Sequence, residues 1–221
     1  MYRFLLSLGF LVACLPMMAQ QSQEEKRSNS QLVFSDFQDA KINQTFNRSI
    51  RAKVNIMYRN GALCFVDETD GKVKQAFAKN IISVDFDSVR YMKVDTVAMG
   101  RVVAQQGYNT LLCLTTIDMA RYKELTTGGT DLPFFEIDMA GLGMSQFMDL
   151  SGAEQQANKG YPLKDEFFFN LKGKIIPAKE KFVKRNVRSD MKTAFKNLMA
   201  DRWWSWKDEK SLAKLLMYFP E

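Results

Sequence analysis

The sequence predicts an α+β protein: an antiparallel β-meander, arranged as a sandwich, half-barrel or curled sheet, followed by a C-terminal β-hairpin and two amphipathic helices. Three observations predict it. Apolar and polar residues alternate with period two through residues 32–124, Asn-Gly and Asp-Gly dipeptides punctuate that stretch, and apolar residues at helical spacing follow beyond residue 189. No long interior helix pattern separates the strands, which argues against a parallel α/β sheet.

Residues 1–19 read as a secretory signal peptide. Arg3 precedes an apolar run from Phe4 to Met18, and Ala19 leads into a polar stretch. The run is 15 residues long, short of the roughly 20 that span a bilayer as a helix. Cleavage after Ala19 fits the change in polarity. The alternative is Leu11-Val12-Ala13-Cys14, which resembles a bacterial lipobox with Cys14 as the acylated residue, although the apolar run continues past it. Either route sends the chain out of the cytoplasm, to the periplasm or the outer membrane. Residues 20–31 are polar without period and are expected to form a disordered leader.

The meander begins after residue 31. Ile50, Ala52, Val54, Ile56 and Tyr58 alternate with Arg51, Lys53, Asn55 and Met57, the pattern of a half-buried strand. It ends at Asn60-Gly61, a hairpin signal whose two turn positions call for positive φ. Residues 63–66 return, Asp70-Gly71 turns again into 73–77, and further strands are expected at 81–86, 89–94, 97–104 and 110–117. Residues 125–160 are Gly- and Thr-rich and read as a loop-rich connection, with 134–139 as an isolated strand. The last part, residues 161–221, starts with Phe167-Phe168-Phe169, turns at 170–173 and returns through Ile175-Ile176. Ser189 or Asp190 is placed to cap a helix carrying Met191, Ala194, Phe195, Leu198 and Met199 on one face. Asp208 is placed to cap a second, with Leu212, Leu215, Leu216 and Phe219, which Pro220 ends.

Composition excludes several chemistries. The chain has no histidine, so Ser-His-Asp and Cys-His catalysis and His-ligated metals are out. Three cysteines do not build a thiolate cluster. Cys64 and Cys113 lie in apolar strand-like runs, as a disulfide or as two buried thiols. Asp67-Glu68-Thr69-Asp70-Gly71 lacks the alternating oxygens and closing Glu of a calcium loop and reads as a turn. Asp85 and Asp87 share a strand face and are the only carboxylate pair worth weighing for acid–base chemistry, against the plainer reading of a wet strand face. No phosphate loop, nucleophile elbow or dinucleotide fingerprint is present. No cofactor and no metal is expected.

The charge is uneven. The net charge of +6 arises in residues 161–221, which carry 14 Lys and Arg against 8 Asp and Glu. Lys179, Lys181, Lys184, Arg185, Arg188, Lys192 and Lys196 form its densest part. All three tryptophans, Trp203, Trp204 and Trp206, sit between Arg202 and Lys207. Aromatic rings beside unneutralised cations suit a partner interface or an anionic surface, while core packing is the plainer role. Nucleic acid is not expected as a partner of an exported chain.

The stretch Phe37-Gln-Asp-Ala40, Val54-Asn55-Ile56, Leu63-Cys-Phe65, Ala76 and Ile81-Ile-Ser-Val84 resembles a recurring pattern in uncharacterised exported proteins of Bacteroidota. So do the tail residues Phe167-Phe-Phe-Asn-Leu-Lys-Gly-Lys174, Ala194-Phe-Lys-Asn-Leu198 and Asp208-Glu-Lys-Ser-Leu212, and the signal peptide ending Met17-Met-Ala-Gln20. The resemblance implies an envelope or secreted protein, β-rich and then helical, with no catalytic residues to transfer. It also implies O-glycosylation at Asp87-Ser-Val and Asp95-Thr-Val. The expectation is therefore a non-enzymatic envelope protein that docks on a partner protein or membrane surface through Trp203, Trp204, Trp206, Arg202, Lys207, Lys184, Arg185 and Arg188. The alternative is a small-molecule, lipid or glycan-binding module using the sheet and the 125–160 loops.

Overall fold

A computed structural model describes residues 25–76, 78–125 and 160–220. Within them the chain is mostly antiparallel β-sheet with a few short helices, broadly the α+β class that the patterning predicts. From one edge, β1 (Arg27–Ser28) pairs with β10 (Tyr161–Leu171), followed by β9 (Asn109–Ile117), β8 (Met99–Gln106), β7 (Arg90–Lys93) and β6 (Ile81–Asp85). The path then continues through β2 (Gln38–Gln44), β3 (Arg48–Ile56), β4 (Leu63–Val66) and β5 (Val73–Gln75). A further strand, β11 (Lys174–Pro177), adds to β10. The helices are α1 (Met119–Leu125), α2 (Glu180–Val183), α3 (Lys192–Met199) and α4 (Glu209–Ala213), the last running into a 3₁₀ turn, Lys214–Tyr218.

The sheet is open, with β1 and β5 as the ends of its path, but it bends. Ala62 bridges Ala98, Met99 N–H donates to Gly61 O at 2.8 Å, and Ile117 N–H donates to Tyr58 O at 2.8 Å. These contacts join the β3–β4 turn to β8 and β9 across the intervening β7, β6 and β2, so the sheet must fold over. The enclosed face carries Ile42, Val54, Ile56, Leu63, Val84, Phe86, Tyr91 and Met99 as one core, with Phe86 and Tyr91 in an edge-to-face contact at 5.6 Å. At the turn only Gly61 takes positive φ, at +70°. Asn60 instead accepts from Ala62 N–H through Oδ1 at 3.1 Å, so the expectation of two left-handed positions is corrected to one.

A second core lies where the C-terminal segments cover β8–β11, formed by Leu111, Phe169, Val183, Phe195, Leu212, Leu215 and Phe219 among others. Asp208 caps α4, accepting from Ser211 N–H at 2.7 Å. That bond holds its carboxyl below the usual carboxylate range. The folded pKa is depressed, so the cap contributes above the unfolded value and is lost as pH falls through the folded one. Asp208→Ala is expected to cost about 1 kcal/mol at pH 7. In urea melts the difference from wild type should shrink below about pH 4.

Three expectations are corrected. Residues 25–31 are not a disordered leader: β1 pairs with Pro162 and Tyr161, and Gln31 Nε2 donates to Tyr161 Oη at 3.0 Å. Asn55 is not on a wet face. It is fully buried because residues 32–37 lie over it, and its amide donates to Phe34 O at 2.8 Å and accepts from Phe34 N–H at 3.1 Å. Neither Ser189 nor Asp190 caps a helix, since no side-chain cap is formed at either candidate start and the Asp190 carboxylate is taken by Arg188 at 2.9 Å. The signal peptide with Cys14, and all of the 125–160 connection except Leu125 and Gly160, lie outside the described residues.

The β2–β3 turn holds a local outlier. Phe46 adopts φ 60°, ψ 32° while its ring is 90% exposed. A left-handed L-residue other than glycine or asparagine is unfavourable by about 1 kcal/mol. Phe46→Asn is expected to raise stability by about 0.5–1 kcal/mol, read as a higher denaturant midpoint with an unchanged slope.

Candidate functional site

The site is built on β10. Nine of its residues, Leu163 to Leu171, pair with β9, which occupies one edge along that length. The opposite edge is shared: β1 takes Tyr161 and Pro162, and β11 takes Phe168 to Leu171. The two partners meet β10 through single bonds at their ends, Leu163 N–H to Lys26 O and Ala178 N–H to Phe167 O, both 2.8 Å. Between them no described strand covers β10.

A cleft of about 1050 Å³ lies along this stretch, lined by Lys164, Asp165, Glu166 and Phe167 of β10 and by Lys179, Trp206 and Lys207 from the segments after it. Most of its charges are spoken for. Lys26 pairs with Asp165 at 2.9 Å, Arg121 with Glu25 at 3.0 Å and Lys164 with Glu166 at 4.0 Å. Arg27, then Arg121, hold Glu25 below the usual carboxylate range. Thr115 adds a hydroxyl bond to Asp165. Lys179 and Lys207 have no ion-pair partner among the described residues, so the lining has net positive character. The result is a trough with exposed strand backbone, an aromatic wall and two unneutralised ammonium groups.

The residues singled out in sequence do not form one site. Trp206 and Lys207 reach the cleft. Trp204 packs on Trp206 edge-to-face at 5.4 Å, and both border the second core; the Trp204 indole N–H is buried without an acceptor among the described residues. Trp203 is 77% exposed, with the Arg202 guanidinium 4.8 Å over its ring. Lys184 belongs to a separate groove of about 460 Å³ with Lys192 and Lys196 above Phe195. Arg185 is exposed and lines neither. Arg188 also lines neither: its side chain pairs with Asp190 at 2.9 Å, and its backbone N–H donates to Tyr218 O at 3.0 Å. Sequence reasoning missed the exposed length of β10, Lys164-Asp165-Glu166, whose polar run resembles a loop.

Groups capable of chemistry are otherwise engaged. Burial pushes the Asp85 carboxyl up, but the Arg90 guanidinium and the Asn43 amide, donating at 2.8 Å, outweigh it and leave it below the usual range. Asp87 is exposed in the turn after β6. Asp67 and Asp70 both hold Lys74, at 2.8 and 3.2 Å, within a turn. Cys64 and Cys113 are free thiols on strands that are not neighbours, so the disulfide reading is not met. Burial pushes their pKa values up to about 12 and about 11. Native protein is therefore expected to resist iodoacetamide at pH 8 and to take up label at both only after unfolding in guanidinium.

Among the described residues no group of three or more Cys, Asp or Glu is placed to hold a metal ion, and no helix is long and apolar enough to cross a membrane. Compared with family models, curated proteins and solved structures, the chain matches none of them.

Proposed function

We propose that this chain is a non-enzymatic envelope or secreted protein that docks on a partner protein through its basic, Trp-bearing C-terminal third, a hairpin followed by amphipathic helices, with the cleft beside β10 as the contact. The observation that carries the reading is the lining of the cleft: Lys179, Lys207 and Trp206 share it with the exposed β10 residues Lys164, Asp165 and Glu166, and the two lysines lack ion-pair partners among the described residues. A Trp–cation lining in a trough of this size is the composition of an interface anchor. The engagement of Asp85 by Arg90 and Asn43 supports a non-catalytic role. The export signal in residues 1–19 and the resemblance to exported proteins support the location.

The test is capture from gently solubilised envelopes. The wild-type chain should retain a stoichiometric protein partner that Lys179→Glu/Lys207→Glu loses, while Lys181→Glu/Lys210→Glu, which reverses two exposed lysines away from the cleft, retains it. Equal loss from both variants would reduce the effect to bulk charge. Retention by both would remove the cleft from the interface, and recovery of lipid alone would favour a membrane surface.

A second reading has its own observation. The enclosed face of the bent sheet opens into an apolar groove of about 450 Å³, with Ile42, Val54, Leu63, Phe65 and Ile81 in its wall, a size that suits a small lipid-like molecule. A fluorescent fatty-acid probe that binds wild type and is excluded by Val54→Trp would favour this module.

A further inference from the structure

We propose that the partner docks by strand addition: an extended, acidic segment of the partner protein lies against β10 between β1 and β11 and completes the sheet there. The inference rests on the docking reading above and names its geometry.

The direction of each backbone group identifies the open edge. Leu163 N–H points to Lys26 O, and Phe167 O receives Ala178 N–H, whereas Pro162 O receives Asp118 N–H from the β9 side. Peptide groups alternate sides along a strand. Residues 163, 165 and 167 therefore face away from β9. Of their groups, Leu163 C=O, Asp165 N–H and C=O, and Phe167 N–H have no hydrogen-bond partner among the described residues. These four groups lie within about 13 Å of strand along the cleft. An unpaired edge of this kind is a template for another chain, and main-chain bonds from an added strand give affinity while flanking pockets give selectivity. Selectivity here is set by charge. Lys26, Arg121 and Lys164 are already neutralised by Asp165, Glu25 and Glu166, which leaves Lys179 and Lys207 to meet carboxylates of the incoming strand, with Trp206 beside them.

The probe is the peptide acetyl-Glu-Val-Glu-Val-Glu-amide, acidic and prone to extension, with its Lys-for-Glu counterpart as control. Using the full chain, Asp165 and Phe167 amides are expected to exchange rapidly when free and to slow at least tenfold with the acidic peptide, but not with the basic one. Asp165→Pro removes a donor that faces the open edge and breaks no bond to β9. Asp165→Ala removes the same side chain and keeps the donor. Peptide affinity should be at least tenfold weaker for Asp165→Pro than for Asp165→Ala. Equal affinity of those two variants, no binding of the acidic peptide, equal binding of the basic peptide, or protection of both amides in the free chain would each overturn the proposal. The last result would mean that the chain's own backbone occupies the edge. If Asp165→Pro still captured the envelope partner while Lys179→Glu/Lys207→Glu lost it, docking at the cleft would stand and strand addition would fall.

Discussion

Phe169→Ala is expected to remove about 3–5 kcal/mol of stability. Phe169 is fully buried at the centre of the C-terminal core, with its ring 5.0 Å from that of Phe219 at a 63° interplanar angle. It sits on β10 opposite Leu111 of β9 and Ile176 of β11, so its loss leaves a cavity touching the sheet and the helices together. A single domain holds about 5–15 kcal/mol in all, so the variant should unfold at a much lower urea midpoint. A cost below 1 kcal/mol would mean that the C-terminal segments are not packed as one core with the sheet. The same geometry predicts that deleting residues 161–221 destroys the sheet, because β10 belongs to it; point variants are the only clean way to question the cleft.

Gly61→Ala is expected to cost about 2–4 kcal/mol, combining a left-handed backbone with overpacking. Gly61 sits at φ +70°, and a Cβ there would lie 2.4 Å from Leu114 Cδ1. Its carbonyl also accepts from Met99 N–H, so relaxation of the turn would pull apart the contact that bends the sheet. Gly107→Ala is the internal comparison: φ is +56° but nothing lies within 4 Å of the added carbon, and the cost should be about 1–2 kcal/mol. Equal losses at the two positions would show that the close approach to Leu114 contributes nothing.

The sequence was most legible where its signals are local. Asp208 lies three residues before the backbone N–H it accepts from, and β4 sits at residues 63–66 as its apolar run between two turns predicts. It was least legible where the structure is made by contacts distant in the chain. Asn55 alternates with apolar neighbours as a solvent-facing residue would, and only the arrival of residues 32–37 turns it into a buried anchor. Lys164-Asp165-Glu166 is a polar run, and nothing in it announces that β9, fifty residues earlier, makes it a strand. Arg27 and Ser28 read as part of a polar leader because their partner strand begins more than 130 residues later. The candidate site shares this limit. Trp206 and Lys207 were visible as an aromatic–cation cluster, but the exposed β10 edge they frame exists only once β1 and β11 have left it uncovered. The same holds for Trp203, Lys184 and Arg188, whose separation into three locations is a product of the fold.

The most direct measurement of docking at the β10 cleft is an amide-exchange footprint of the chain with and without the partner captured from native envelopes. Docking there predicts that slowing concentrates at the Asp165 and Phe167 amides and around Trp206 and Lys207, with the β2–β3 turn at Phe46 unchanged. Slowing at Phe46 or along the Lys184–Lys192–Lys196 groove, with 163–167 exchanging as in the free chain, would contradict it.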